Sequence, residues 1–251
     1  MIVSEPAFLN RPDRPSLAYR HLHGDGPTVV FLPGYMSDMT GSKATGVFAD
    51  CAARGQACLL FDYAGCGLSG GRFADQTLTD WRDDVIDLLG ALVPGPVVLI
   101  GSSMGGWVML LAALALAEQH GGEKVAGLIG VAAAPDFTEW GFSDAQKAII
   151  QTEGVLLQDT PHSDQSYVTT RALWQSGHDN LLLGGPIALA CPVHLLHGQR
   201  DDDVPWKISV KLAAALTSDA AVILLIKDGD HRLSRQADIG LLLSAVAGMA
   251  R

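Results

Sequence analysis

The sequence predicts a mostly parallel α/β sheet with helices on both faces. Short β-branched, apolar runs alternate with helix-like stretches along nearly the whole chain. The runs are apolar at successive positions, as expected of strands covered on both sides rather than on one. A length of 251 residues with 48% hydrophobic and 18% charged composition suffices for one large domain with a sizeable core. In sheets of this kind the loops at the carboxyl ends of the strands build the active site.

The elements follow in order. His21 and His23 alternate on a stretch that reads as an edge strand with exposed histidines. Val29 to Leu32 reads as a strand ending at Pro33-Gly34, and Ser42 to Arg54 as a helix stopped by Gly55. Ala57 to Phe61 is the next strand, followed by the glycine-rich loop 63–67. Thr79 to Leu92 carries Trp81, Val85, Leu88, Leu89 and Leu92 at helical spacing, with Asp80, Asp83 and Asp84 where carboxylates suit a helix N-terminus. Val97 to Ile100 is a strand, Gly106 to Ala117 a buried helix, and Val125 to Val131 a further strand. The alternation resumes with Pro192–Leu196 (strand), Pro205–Leu216 (helix), Ala221–Ile226 (strand) and Gln236–Met249 (helix). Between Phe137 and Gly185 no clean strand is visible, and nearly fifty residues are too many for a structureless connection. This stretch is read as a small helical cap inserted at about 137–185 into a single domain.

Composition narrows the partners. Seventeen Lys and Arg against 27 Asp and Glu give a net charge of −10. No basic cluster stands out, which argues against nucleic acid and anionic membranes. The longest apolar run, Trp107 to Ala117, has 11 residues, against the ~20 a membrane span needs. Four cysteines without C-x-x-C spacing, and an N-terminus without a secretory pattern, predict reduced thiols and a cytoplasmic location.

The chemistry centres on Gly101-Ser102-Ser103-Met104-Gly105, a G-x-S-x-G run between a strand and a helix. Only Ser103 has glycines at both −2 and +2, so it is the candidate nucleophile on a tight strand-to-helix elbow. In a chain with 28 glycines the run alone is weak evidence. A serine hydroxyl also needs a base, itself oriented by an acid. Two later strands end in loops that offer both, in the order Ser, Asp, His. One loop is His197-Gly198-Gln199-Arg200-Asp201-Asp202-Asp203-Val204-Pro205 and the other Lys227-Asp228-Gly229-Asp230-His231. That is the order of α/β-hydrolases and not of chymotrypsin-like or subtilisin-like enzymes.

The H-G-x-x-D-x-x-V-P pattern at 197–205 resembles the acid loop of that family and puts the acid on Asp201, with Asp202 and Asp203 as off-register competitors. Gly229-Asp230-His231 resembles its histidine loop, with His231 as base; His197 is read as a strand-end residue bonding the backbone. An oxyanion hole needs two preset N–H groups. One is the residue after the nucleophile, Met104, and by analogy with the family the other is Tyr35, with Gly34 providing the turn. Together with Phe31–Ser37 and Phe61–Gly65 these segments are similar to the subgroup of palmitoyl-protein thioesterases and mycophenolic acid acyl-glucuronide esterases. The similarity runs over roughly residues 28–245 and is weakest in the cap. The resemblance implies a serine hydrolase of carboxylic esters or thioesters that works through an acyl-enzyme on Ser103. Its substrate is a small-molecule ester or thioester, or an acylated protein, and it uses no metal or organic cofactor. A serine at the nucleophile position excludes the dehalogenase and epoxide-hydrolase chemistries of the same fold. The different-class alternative is a ligand-binding or sensing protein that keeps the fold and uses its pocket for recognition. Trp140, Phe142 and Trp174 either line an acyl pocket or form the cap's own core. His162 and His178 lie in the same stretch. Asp62 is expected to brace its loop.

Overall fold

The computed structural model describes residues 5–160 and 163–250. Its centre is an eight-stranded sheet. Strands β1 (Ala7–Arg11), β2 (Arg14–Leu22), β3 (Asp25–Leu32), β4 (Gln56–Phe61), β5 (Val97–Ser102), β6 (Val125–Val131), β9 (Val193–Gly198) and β10 (Ala221–Ile226) lie in the spatial order β1-β2-β4-β3-β5-β6-β9-β10. From β4 to β10 every pairing is parallel; β2 joins β4, and β1 joins β2, antiparallel. His21 sits on β2, second in the sheet rather than at its edge, paired with Leu59 and 4.3 Å ring to ring from His23.

The alternation of strand side chains explains why apolar runs were needed. Val30, Leu32, Leu59, Phe61, Val97 and Leu99 enter one core, while Val29, Phe31, Cys58, Leu60, Val98 and Ile100 enter the other. Helices α2 (Leu78–Leu92), α3 (Met104–His120) and α7 (Lys207–Ala215) cover the first face; α1 (Ser42–Arg54) and α8 (Gln236–Met249) cover the second. α3 is apolar nearly all round because it lies against the middle of the sheet. α1 ends on Gly55 in the left-handed region (φ 68°), and α2 begins with a Thr77–Asp80 capping box. Asp84, within α2, is fully buried. It accepts from the Ala64 N–H and pairs with Arg11 and Arg14, so it ties the antiparallel strands to the helix. Burial raises its carboxyl to about 6 despite both arginines.

Between β6 and β9 the chain forms α4 (Phe137–Trp140), α5 (Asp144–Glu153), β7 (Val155–Thr160), β8 (Ser163–Thr170) and α6 (Arg171–His178). The absence of a strand expected here is corrected: β7 and β8 form a separate antiparallel pair, Leu156 opposite Thr169 and Gln158 opposite Tyr167. Val155 and Leu157 are exposed, so β7 packs only one side chain in three of its apolar start into a core. The cysteines are all free; Cys66, in the glycine-rich loop, is buried, and burial pushes its thiol up to about 12.

Candidate active site

The site begins at the turn from β5 into α3. Ser103 has φ 53° and ψ −121°, a conformation that costs on the order of 1–3 kcal/mol in a residue with a side chain. The surroundings enforce it. A Cβ on Gly105 would lie 2.3 Å from the carbonyl oxygens of Leu32 and Pro33, and one on Gly101 would lie 2.4 Å from that of Gly105. Backbone therefore touches backbone on both sides of the serine. The Ser103 N–H donates to Val131 O (2.9 Å), and its carbonyl accepts from Gly106 (2.8 Å) and Ala134 (3.0 Å).

Asp201 stands past the end of β9. Its Oδ1 accepts the N–H groups of Val204 (2.7 Å) and Asp203 (3.0 Å), while Asp202 and Asp203 lie exposed. The loop is stitched to the one after β10 by two backbone bonds, Gln199 N–H to Ile226 O (2.8 Å) and Arg200 N–H to Gly229 O (2.9 Å). Across that seam Asp201 Oδ2 meets His231 Nδ1 at 2.8 Å, and His231 Nε2 meets Ser103 Oγ at 3.1 Å. The three side chains expected to converge do so. With the Nδ1 proton directed at the carboxylate, Nε2 is left to accept the serine proton.

His197 has a larger part than backbone bonding. It is fully buried, and its Nε2 contacts both Asp201 Oδ2 (3.1 Å) and Val204 O (3.0 Å). Both are acceptors, so Nε2 carries the proton and Nδ1 takes the hydroxyl of Ser209 at 2.7 Å. One carboxylate oxygen thus serves two imidazoles. Burial opposes the charge on Asp201, but hydrogen bonds from His197 and His231 and the attraction of His231 outweigh it. They hold the carboxyl well below the usual range.

Tyr35 and Met104 line the same cavity as Ser103 and His231. Met104 is the first residue of α3, where the N–H has no intrahelical acceptor. Among the described residues neither the Tyr35 nor the Met104 N–H has a hydrogen-bond partner. The Tyr35 side chain turns the other way. Its hydroxyl donates to Val168 O at 2.5 Å and lies 3.2 Å from Thr169 Oγ1, and its ring packs edge-on against Phe73, Phe137 and Tyr167. Burial pushes this phenol well above its ordinary value.

The cavity holds about 330 Å³. Trp140 and Phe142 line it, as do Gln158, Tyr167 and Thr169 of the hairpin. Trp174 does not: on α6 it packs with Ile150 and Leu156, and its Nε1 donates to Thr138 O (3.2 Å). It belongs to the small core beneath α5, so only two of the three candidate aromatics face the cavity. His178 pairs with Glu139 at 3.2 Å outside the cavity wall, and His162 lies outside the described residues. Asp62 braces its loop, with Oδ1 on the Met39 N–H and Oδ2 on that of Leu68. Lys43 and Arg232 also line the cavity; nothing in their spacing announced it, although Arg232 directly follows the histidine. Among the described residues, Asp201, Asp203 and His231 are a group with donor atoms within 4.8 Å of one another, as a metal would need, but Asp201 and His231 already engage each other.

Residues 29–239 match the profile of the alpha/beta hydrolase family. The chain is 40% identical over 244 residues to the human palmitoyl-protein thioesterase ABHD10, mitochondrial, covering 96% of this chain and 78% of that protein. Among solved structures it is similar to mouse alpha/beta hydrolase domain-containing protein 10, with TM-score 0.90, 37% identity and 98% of each chain covered. A putative hydrolase from Agrobacterium vitis S4 superposes with TM-score 0.91 at 35% identity, again over 98% of each chain. No helix among the described residues is long and apolar enough to cross a membrane.

Proposed function

The chain belongs to the alpha/beta hydrolase family, and from that premise we propose that it hydrolyses carboxylic esters or thioesters through an acyl-enzyme on Ser103. The observation that carries this reading is the continuous relay from Ser103 Oγ to His231 Nε2 (3.1 Å) and from His231 Nδ1 to Asp201 Oδ2 (2.8 Å).

In the proposed reaction His231 takes the Ser103 proton as Oγ attacks the acyl carbon, and Asp201 stabilises the imidazolium that forms. The N–H groups of Tyr35 and Met104 receive the oxyanion, a contribution worth roughly 3 kcal/mol per donor in such sites. His231 then returns the proton to the departing oxygen or sulfur, and a water molecule activated by the same ring releases the acid. Trp140 and Phe142 would contact the acyl group. Residues 137–185 are proposed to act as a cap on a single domain. The name of the human relative makes S-acylated protein a candidate substrate beside small esters. A panel of esters and thioesters of graded acyl length would rank them. A cytoplasmic location is part of the same proposal, supported by four free cysteines; the human relative carries the word mitochondrial in its name, and cell fractionation decides between them.

A fluorophosphonate probe tests the chemistry. The expected result is covalent labelling of Ser103 that excess ester substrate suppresses. A folded protein that resists the probe yet binds ligands reversibly would replace this reading with that of a sensor.

A further inference from the structure

We propose that the Tyr35 side chain is a specificity-determining link between the hairpin and the oxyanion hole, through which the acyl group is selected mainly in kcat rather than in KM. The inference rests on the acyl-enzyme reading above. Binding energy from parts of a substrate remote from the reacting bond raises kcat only where it improves the groups that meet the transition state. Tyr35 belongs to both places.

Its backbone faces the chemistry. A Cβ on Gly34 would lie 3.3 Å from Ser102 O and 3.5 Å from Ser103 Cβ, so this loop rests on the nucleophile. The Ser37 N–H donates to Gly34 O (3.2 Å), closing a turn over Tyr35 and Met36, and the Met39 N–H is held by Asp62 Oδ1 (2.7 Å). Inside the turn, neither Tyr35 nor Met36 makes a backbone hydrogen bond among the described residues. Met36 sits in the left-handed region (φ 49°), where a residue with a side chain is strained and needs outside support. The Tyr35 side chain gives that support.

Its phenol donates to Val168 O (2.5 Å) and has Thr169 Oγ1 at 3.2 Å, both on β8. Burial, the largest effect on it, keeps the phenol protonated and donating at neutral pH. The rings of Tyr167 and Phe137 pack edge-on against it, with centroids at 5.4 and 5.9 Å. Phe137, Tyr167 and Thr169 also line the catalytic cavity. An acyl group on the aromatic side therefore touches the same residues that hold the phenol. The β7–β8 pair stands apart from the main sheet and is marginal alone, so its seating depends on what fills the cavity beside it. A well-fitting acyl group seats the hairpin and, through the phenol, fixes the aim of the Tyr35 N–H. A small one leaves part of the 330 Å³ to water and the N–H less firmly held. Removing such a donor outright costs on the order of 10^2 to 10^3 in kcat, so a partial loss of aim is enough for a several-fold effect.

A series of p-nitrophenyl esters from acetate to octanoate supplies the test. The readout is kcat for the acyl group turned over fastest, divided by kcat for acetate, beside the same ratio for 1/KM. For the natural protein the kcat ratio is expected to be on the order of tenfold and to exceed the 1/KM ratio. Tyr35→Phe keeps the ring and the N–H but removes the bond to Val168 O. It should cut the kcat ratio about fivefold while each KM moves less than about twofold. Thr169→Val loosens the same phenol from the hairpin side and should cut the ratio about twofold, which keeps the question open to test if the tyrosine variant folds poorly. A loss of folded enzyme lowers every ester alike and cancels. A natural kcat ratio near one, selectivity lodged in KM, or a ratio unchanged in folded Tyr35→Phe overturns the link, while fluorophosphonate labelling of Ser103 leaves the hydrolase reading intact. If no ester is cleaved and Ser103 is not labelled, both readings fall together.

Discussion

The Ser103 elbow and the β7–β8 hairpin face each other across one cavity and are held in different ways. At the elbow, backbone rests on backbone: Gly105 against the end of β3, and the acid loop bonded to the histidine loop through Gln199 and Arg200. The hairpin is a two-stranded pair apart from the main sheet, with Val155 and Leu157 exposed and its attachment made by side chains, the Tyr35 hydroxyl above all. The first region is held by backbone contacts that no side-chain rotation can relieve. Two-stranded pairs are marginal alone, so the second is held by whatever its side chains touch.

Substitutions can break this contrast, beginning with the largest effect. Ser103→Ala should lower kcat on p-nitrophenyl esters by on the order of 10^4 to 10^6-fold while the melting temperature stays within a few degrees. Activity near that of the natural protein would remove Ser103 from the chemistry. Gly105→Ala forces a Cβ onto two carbonyl oxygens and should destabilise the fold by roughly 1–3 kcal/mol, read as a clear drop in melting temperature, with activity lost as the elbow shifts. An unperturbed protein would mean that the elbow is not rigid. Tyr35→Phe tests a hydrogen-bonded link between the regions. It keeps the ring packing and the N–H but removes the bond to Val168 O, and about a fivefold fall in kcat is expected with little change in melting temperature. If the two regions are independent, kcat will not move. Smallest is Trp140→Ala, which should shift the preferred acyl length by a few-fold in kcat/KM and leave the rate of fluorophosphonate labelling within about twofold. A collapse in labelling would place Trp140 in the chemistry rather than on the acyl side.

The same contrast explains what could be read from the sequence. Gly101, Gly105 and the strand-to-helix switch around Ser103 are local, because backbone crowding writes itself as glycine at fixed spacing. The parallel strands were legible as well, since burial on both faces demands apolar residues in succession. The hairpin left no such mark: Leu156, Leu157 and Gln158 face Thr169, Val168 and Tyr167 in a pair that needs neither alternation nor a glycine turn signal. Trp174 and Trp140 could not be told apart, because an aromatic at helical spacing says nothing about which neighbour it will meet. The double engagement of Asp201 was also hidden, since it depends on α7 bringing Ser209 to His197.

His197 deserves a last thought as an object of genetics. It is sealed from solvent, and it reaches the Ser103–His231 pair through the Asp201 oxygen it shares with His231. A screen for lost function, blind to structure, would return it beside Ser103 and His231. Pairs of changes at 197 and 201 would fail to add, because each already undoes the other's bond. The inheritance of activity in this chain reaches one layer deeper than any substrate does.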